Sequence, residues 1–134
     1  MKALFAPTVF FIVSILFGTS CIKDPPATPL SRRTVQYVLY TDKDFSSDNN
    51  LITFRLSIQN SADQTLWDSI MAPIAIKEIP DSAHRIVVEK LVPTNDLSAM
   101  KVGFYYEIEN VGNSWYLDSF PAGMTFKKVE FNFK

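Results

Sequence analysis

One cysteine, one histidine and four glycines are all that the 134 residues contain of these types. A lone cysteine, Cys21, excludes an intrachain disulfide framework. It also excludes a cysteine-based zinc site, since the only histidine, His84, lies far away in sequence. No excess of positive charge exists: 13 Lys and Arg face 14 Asp and Glu, a formal net charge of −1. An electrostatic footprint for nucleic acid is therefore missing. Apolar residues nowhere keep a ~3.6-residue spacing over a dozen positions, which argues against a helical bundle. No G-x-S-x-G, H-E-x-x-H, P-loop or dinucleotide fingerprint occurs, and no internal repeat stands out. The composition thus implies neither a cofactor nor a catalytic constellation.

What is present begins at the N-terminus. "ALFAPTVFFIVSILFG" (Ala3–Gly18) runs without a charge behind Met1-Lys2. A cation, an apolar stretch and small residues form the pattern of a secretory signal. A spanning helix needs ~20 apolar residues, whereas this stretch is shorter and contains Pro7. An uncleaved anchor is the alternative. A buried helix of the folded domain is disfavoured, because nothing polar interrupts the run to give it an exposed face.

The run ends at Gly18-Thr19-Ser20-Cys21. Cys21 has no second cysteine to pair with, no nearby metal-ligating partner and no folded scaffold to position a general base. An idle thiol behind an ordinary signal peptide and a covalent anchor both stay open on these residues. The motif resembles the lipobox of bacterial lipoprotein signal peptides, in which Leu and two small residues precede an invariant Cys. Thr19 and Ser20 fit, while Gly18 stands in place of the usual Leu, with Leu16 and Phe17 close by. Such relaxed boxes look like those of Bacteroidota lipoproteins. The resemblance implies a signal peptide over residues 1–20, cleavage between Ser20 and Cys21, and fatty acyl chains such as palmitate on Cys21. Several acyl chains, at ~0.8 kcal/mol per buried CH₂, make a lasting anchor where a single chain does not. Ile22, not Asp, follows the cysteine, which by the same resemblance favours the outer membrane, facing the periplasm or the cell surface. Lys23 and Asp24 loosely resemble a surface-export signal.

"PPATPL" (residues 25–30) holds three prolines in six positions, a stiff and extended composition. At ~3.1 Å per residue, the tether over residues 21–33 reaches on the order of 35–40 Å.

From Thr34 to Lys134 the pattern has period two. In "LITFRLSIQN", Ile52, Phe54, Leu56 and Ile58 alternate with Thr53, Arg55, Ser57 and Gln59, as in a strand with one buried face. "KKVEFNFK" repeats the pattern, and residues 34–40, 65–71, 84–91 and 101–109 read as further strands rich in β-branched and aromatic residues. "PIAIKEI" (73–79) and "WYLDSF" (115–120) are shorter candidates. Turn-forming Gly, Pro, Asn and Asp separate them. Six to eight short strands at roughly ten-residue spacing predict an all-β fold, an antiparallel, Ig-like β-sandwich. The expected core holds Ile52, Phe54, Leu56, Trp67, Ile86, Val88, Phe104, Tyr106, Val129 and Phe131. Trp67 falls where immunoglobulin-type domains often bury a tryptophan, although their cysteine pair is missing. The chain as a whole resembles small Bacteroidota lipoproteins that carry one Ig-like domain.

Four groups of residues are candidates for chemistry. Asp42, Asp44 and Asp48 could offer oxygens to Ca²⁺. On the EF-hand pattern, however, the required Gly is Ser47 and the bidentate Glu is Thr53, so a solvated loop is the simpler reading and no metal is expected. Tyr105, Trp115 and Tyr116 cluster around one hairpin. If Tyr105 and Tyr116 share a solvent face, they would stack on a sugar ring or a protein; cross-strand pairing within the sheet is the simpler account. His84 has Asp81 and Ser82 as sequence neighbours, but adjacency is not triad geometry, and a turn histidine is expected. Glu107 and Glu109 point to one face, the spacing of two solubilising strand acids as readily as of an acid/base pair. These readings add up to a non-enzymatic, lipid-anchored envelope protein with a protein or glycan partner. The alternative is a carbohydrate-binding accessory lipoprotein of a glycan-uptake system.

Overall fold

Strand-forming alternation becomes eight strands in the computed structural model, which describes residues 32–134. The signal segment, the Ser20–Cys21 junction and the prolines of the tether lie outside the described residues. The strands are β1 (Thr34–Thr41), β2 (Leu51–Asn60), β3 (Thr65–Ile70), β4 (Ile74–Ala75), β5 (Ile86–Leu91), β6 (Met100–Ile108), β7 (Gly112–Phe120) and β8 (Phe126–Phe133). They form two sheets packed face to face, one ordered β5-β1-β8 and the other β3-β2-β6-β7, with β4 added to β2. The sandwich and the strand number are those expected from the sequence. One pairing is parallel, that of β1 with β8, in register from Thr34–Phe126 to Thr41–Phe133. Both strands start at the same end of the sandwich, because β7 finishes there and a short turn over residues 121–125 feeds β8.

The core is the sum of the two inward faces. Ile52, Phe54, Leu56 and Ile58 of β2 meet Met100, Val102 and Phe104 of β6, opposite Val35, Tyr37 and Leu39 of β1 and Val129 and Phe133 of β8. Aromatic rings fill the middle: Phe104 stacks on Phe131 at 5.4 Å, and Phe54 meets Phe104 edge-on at 6.4 Å. Tyr37 carries its hydroxyl into this apolar layer and donates it to the Ser57 carbonyl at 2.7 Å, tying one sheet to the other. Burial pushes that phenol well above its ordinary pKa. Five of the ten expected core residues are fully buried, while Trp67, Ile86, Val88, Tyr106 and Phe131 are half-buried and pack against the cluster. Trp67 sits on edge strand β3, its ring against Tyr37 and under the Lys90 ammonium at 4.8 Å.

Expected and observed elements differ where local chemistry overrides alternation. "PIAIKEI" forms only the two-residue β4 and then a 3-10 turn, Ile76–Glu78. Pro73 has no N–H for the ladder, and the Glu78 carboxylate folds back to accept from the Ala75 N–H. Ile76 and Ile79 are both buried, and a three-residue spacing places both on one side of such a turn. β7 starts at Gly112, three residues before the expected strand, because the preceding turn is tight: Asn110 has φ 60° and Val111 N–H bonds the Ile108 carbonyl.

Arg33, counted from sequence with the tether, is enclosed by the sandwich with 1% of its surface exposed. Nε donates to the Met124 carbonyl, Nη1 to those of Asp96 and Ser98, and Nη2 to that of Pro121, all within 3.1 Å. Its guanidinium lies 4.1 Å from the centre of the Phe120 ring. Burial lowers the Arg33 pKa and the nearby Asp96 charge opposes that shift, but an arginine stays protonated in either case. Its backbone takes part as well, since the Val92 N–H bonds the Arg33 carbonyl. Arg33→Ala leaves four carbonyls without their donor and, with ~1–3 kcal/mol for each acceptor left buried and unsatisfied, is expected to cost several kcal/mol, read as a lower urea midpoint. Arg33→Lys, which lacks the planar fork, should recover only part of that loss.

Candidate functional site

Among the described residues, the outward face of the five-stranded sheet carries polar and aromatic side chains around a series of recesses. Alternation along β2 and β6 places Thr53, Arg55, Ser57 and Gln59 beside Lys101, Gly103, Tyr105 and Glu107 on this face. Arg55 is the cross-strand neighbour of Tyr105, and Thr53 that of Glu107. On β7 the same face carries Trp115 directly opposite Tyr105, and Leu117 opposite Gly103. Trp115 is 67% exposed.

The face is hollowed along the β2–β6 seam. A recess of about 280 Å³ lies between Arg55, Gln59 and Thr65 on one side and Tyr105, Trp115 and Leu117 on the other. Past the Arg55–Tyr105 pair it continues as a recess of about 250 Å³ bounded by Thr53, Ile70 and Glu107. A third, also about 250 Å³, extends to Leu51, Pro73 and Glu109. Shared lining residues make the three one groove that follows the strands. A hollow of about 450 Å³ adjoins it at Leu117, near Ser61 and Ala99.

Small residues create the depth. Ser57 is nearly buried, and Gly103 has no side chain to raise the floor. A Cβ at Gly103 would overlap the Tyr116 carbonyl oxygen and crowd the Leu117 Cα, so only glycine lets β6 and β7 approach this closely. The polar walls are in part already paired: the Arg55 guanidinium lies 3.4 Å from the Asp68 carboxylate on β3.

The expected aromatic pair is corrected by the hairpin register. Tyr105 and Tyr116 do not share a solvent face. Tyr116 is the neighbour of Phe104 on the opposite face, where its ring packs on Phe131 at 5.6 Å. Trp115 takes the place beside Tyr105. Nothing in the sequence marks Arg55, Gln59 or Leu117 for this groove, whereas Gly103 carries a signal, since glycine inside a strand marks a close approach.

The other candidates do not assemble. Asp42 is engaged by the Asn132 side chain at 2.7 Å, Asp44 accepts from the Ser46 N–H and Asp48 from the Asn50 N–H. Each carboxylate shapes its own part of the loop, and among the described residues no group of three metal-ligating side chains forms. His84 is an exposed turn residue whose Nδ1 lies 2.9 Å from Asp81 Oδ1. Glu107 and Glu109 both line the far end of the groove. Among the described residues, no helix is long and apolar enough to cross a membrane. No family model, no curated protein and no solved structure matches this chain.

Hydrogen bonds hold several carboxyls below their usual range: Asp118 through Lys127, Asp96 through Ser98, Asp44 through Ser46, Asp81 through His84 and Glu130 through Lys128. A depressed carboxyl contributes stability above its unfolded pKa and loses it as pH falls through the folded one. The melting temperature should therefore be flat from neutral pH to about 5 and drop below about 4. Asp118 and Lys127 join the two sheets at 2.6 Å. Since the Asp118 carboxylate is partly exposed, Asp118→Asn should cost less than ~1 kcal/mol at pH 7 and make the acid drop shallower in a calorimetric pH series.

Proposed function

We propose that this chain is a lipid-anchored cell-envelope protein that displays its sandwich as a non-enzymatic binding or assembly module. The observation that carries the proposal is Thr19-Ser20-Cys21 at the end of an uncharged N-terminal run, followed by a proline-rich tether. Acyl chains on Cys21 would hold the chain at the outer membrane, facing either the periplasm or the cell surface. The tether over residues 21–33 would let the domain stand up to ~37 Å from the lipid at full extension. The lack of a nucleophile–base or acid–base constellation in the sequence favours binding over catalysis. The exposed edges of the two sheets offer strand addition as one route to assembly. Mass spectrometry of the mature N-terminal peptide is the deciding measurement. Cys21 is expected as the first residue, with a thioether-linked diacylglycerol; an unmodified Cys21, or cleavage elsewhere, overturns the proposal.

A second reading, a carbohydrate-binding accessory of a glycan-uptake system, is favoured by the adjacent Tyr105 and Trp115 on the groove. Aromatic faces stack on the apolar faces of sugar rings, while Arg55, Gln59, Thr53 and Glu107 offer donors and acceptors to hydroxyls. On a glycan array, Trp115→Ala and Tyr105→Ala should each weaken binding about tenfold, ~1.4 kcal/mol, with little change in melting temperature. Tyr116→Ala should do the reverse, lowering stability and sparing binding. Array binding that is absent, or indifferent to Trp115 and Tyr105, removes the glycan reading.

A further inference from the structure

Four large apolar side chains surround the point where the chain enters the sandwich. Leu91, Leu97, Met124 and Phe126 are each between 45% and 51% exposed. Their closeness follows from the backbone. Leu91 and Phe126 flank Thr34 on its two neighbouring strands, and all three project from the outward face of the three-stranded sheet. The Gly123 N–H bonds the Leu97 carbonyl, bringing Leu97 to the turn that carries Met124. The Met124 carbonyl in turn accepts from Arg33 Nε. The rim is thus built around the Arg33 clamp.

The charges at this end have local partners. The Asp96 carboxylate accepts from the Ser98 N–H and hydroxyl and feels the opposite charge of Arg33. Lys101 and Asp63 pair with each other at the β2–β3 turn. Arg32, directly before the clamp, is exposed. An apolar rim with an arginine beside it has the composition of a surface that rests at the headgroup level of a bilayer.

We infer that the Arg33 end of the sandwich docks on the lipid bilayer through Leu91, Leu97, Met124 and Phe126. The inference rests on the lipid-anchored reading, and chain length is what selects a bilayer over other partners. Cys21 precedes Arg33 by only twelve residues, so an acylated Cys21 keeps this end of the domain within ~37 Å of the bilayer at full extension. Shorter excursions bring the rim into contact. Docking leaves the β2–β6 groove, on the outward face of the other sheet, clear of the lipid. The β6–β7 turn, with Val111 at 70% exposure, lies at the far end of β6, ~27 Å along the strand from the docked end.

The test uses the full mature chain, lipidated and reconstituted in phosphatidylcholine–phosphatidylglycerol vesicles. With Cys21 acylated, a cysteine introduced by Leu97→Cys or Val111→Cys is the one free thiol and takes an environment-sensitive fluorophore. Vesicles with brominated acyl chains should quench the label at position 97 strongly and that at 111 not at all. Adding Leu91→Ser and Phe126→Ser should abolish the quenching at 97 while the chain still floats with the vesicles. A chain that floats without quenching at 97 overturns the docking and leaves the anchor intact; this would also be the outcome if tether residues or a protein covered the rim. A chain with unmodified Cys21 that does not float overturns the anchored reading, and the docking with it.

Discussion

A single guanidinium organises one end of this sandwich. Arg33 reaches carbonyls at Asp96 and Ser98 in the β5–β6 connection and at Pro121 and Met124 in the β7–β8 turn. Neither loop contains regular structure of its own, and buried backbone acceptors in such segments need a donor. The planar fork supplies several donors at once, and the Phe120 ring seals its face. The clamp sits where the topology converges: the β7–β8 turn lies against the entry point of β1, and β8 starts beside β1 and runs parallel to it.

Alternation separates the structural from the exposed side chains of the five-stranded sheet. Inward-facing aromatics and the Tyr37–Ser57 bond fix one sheet against the other. The groove on the far side of the five-stranded sheet contributes little to that packing, because its rings point outward. Substitutions of the exposed groove side chains are therefore insulated from the core, whereas Gly103 serves both. It lowers the groove floor and permits the close β6–β7 approach.

Period-two patterning made most of the fold legible. The unbroken alternation of β2 marks both its ends, while β8 begins and ends one residue before the KKVEFNFK stretch. What alternation cannot supply is register. It sends Tyr105 outward and separates Trp115 from Tyr116, yet which of those two joins Tyr105 depends on the turn at Asn110. One residue of slip would exchange them. The role of Arg33 is illegible in the sequence for a related reason. An arginine after a proline-rich stretch reads as solvated, and its carbonyl partners lie 63 to 91 positions further along the chain. The aspartates of the first loop misled in the opposite sense. Their spacing looked like a ligand set, but Asp side chains also bond backbone N–H groups two residues ahead, and Asp44 and Asp48 do so here.

The parallel pairing of β1 and β8 has a mechanical meaning. The chain enters at the start of β1, while β8 ends at the opposite end of the sandwich, at Phe133. Tension applied between the entry point and the last strand pulls these neighbours along their length in opposite directions. All the bonds of the ladder from Thr34–Phe126 to Thr41–Phe133 then carry load together instead of opening one after another. A domain held at its first residue and pulled through its last strand would resist by shear, the stronger of the two ways a sheet can be loaded.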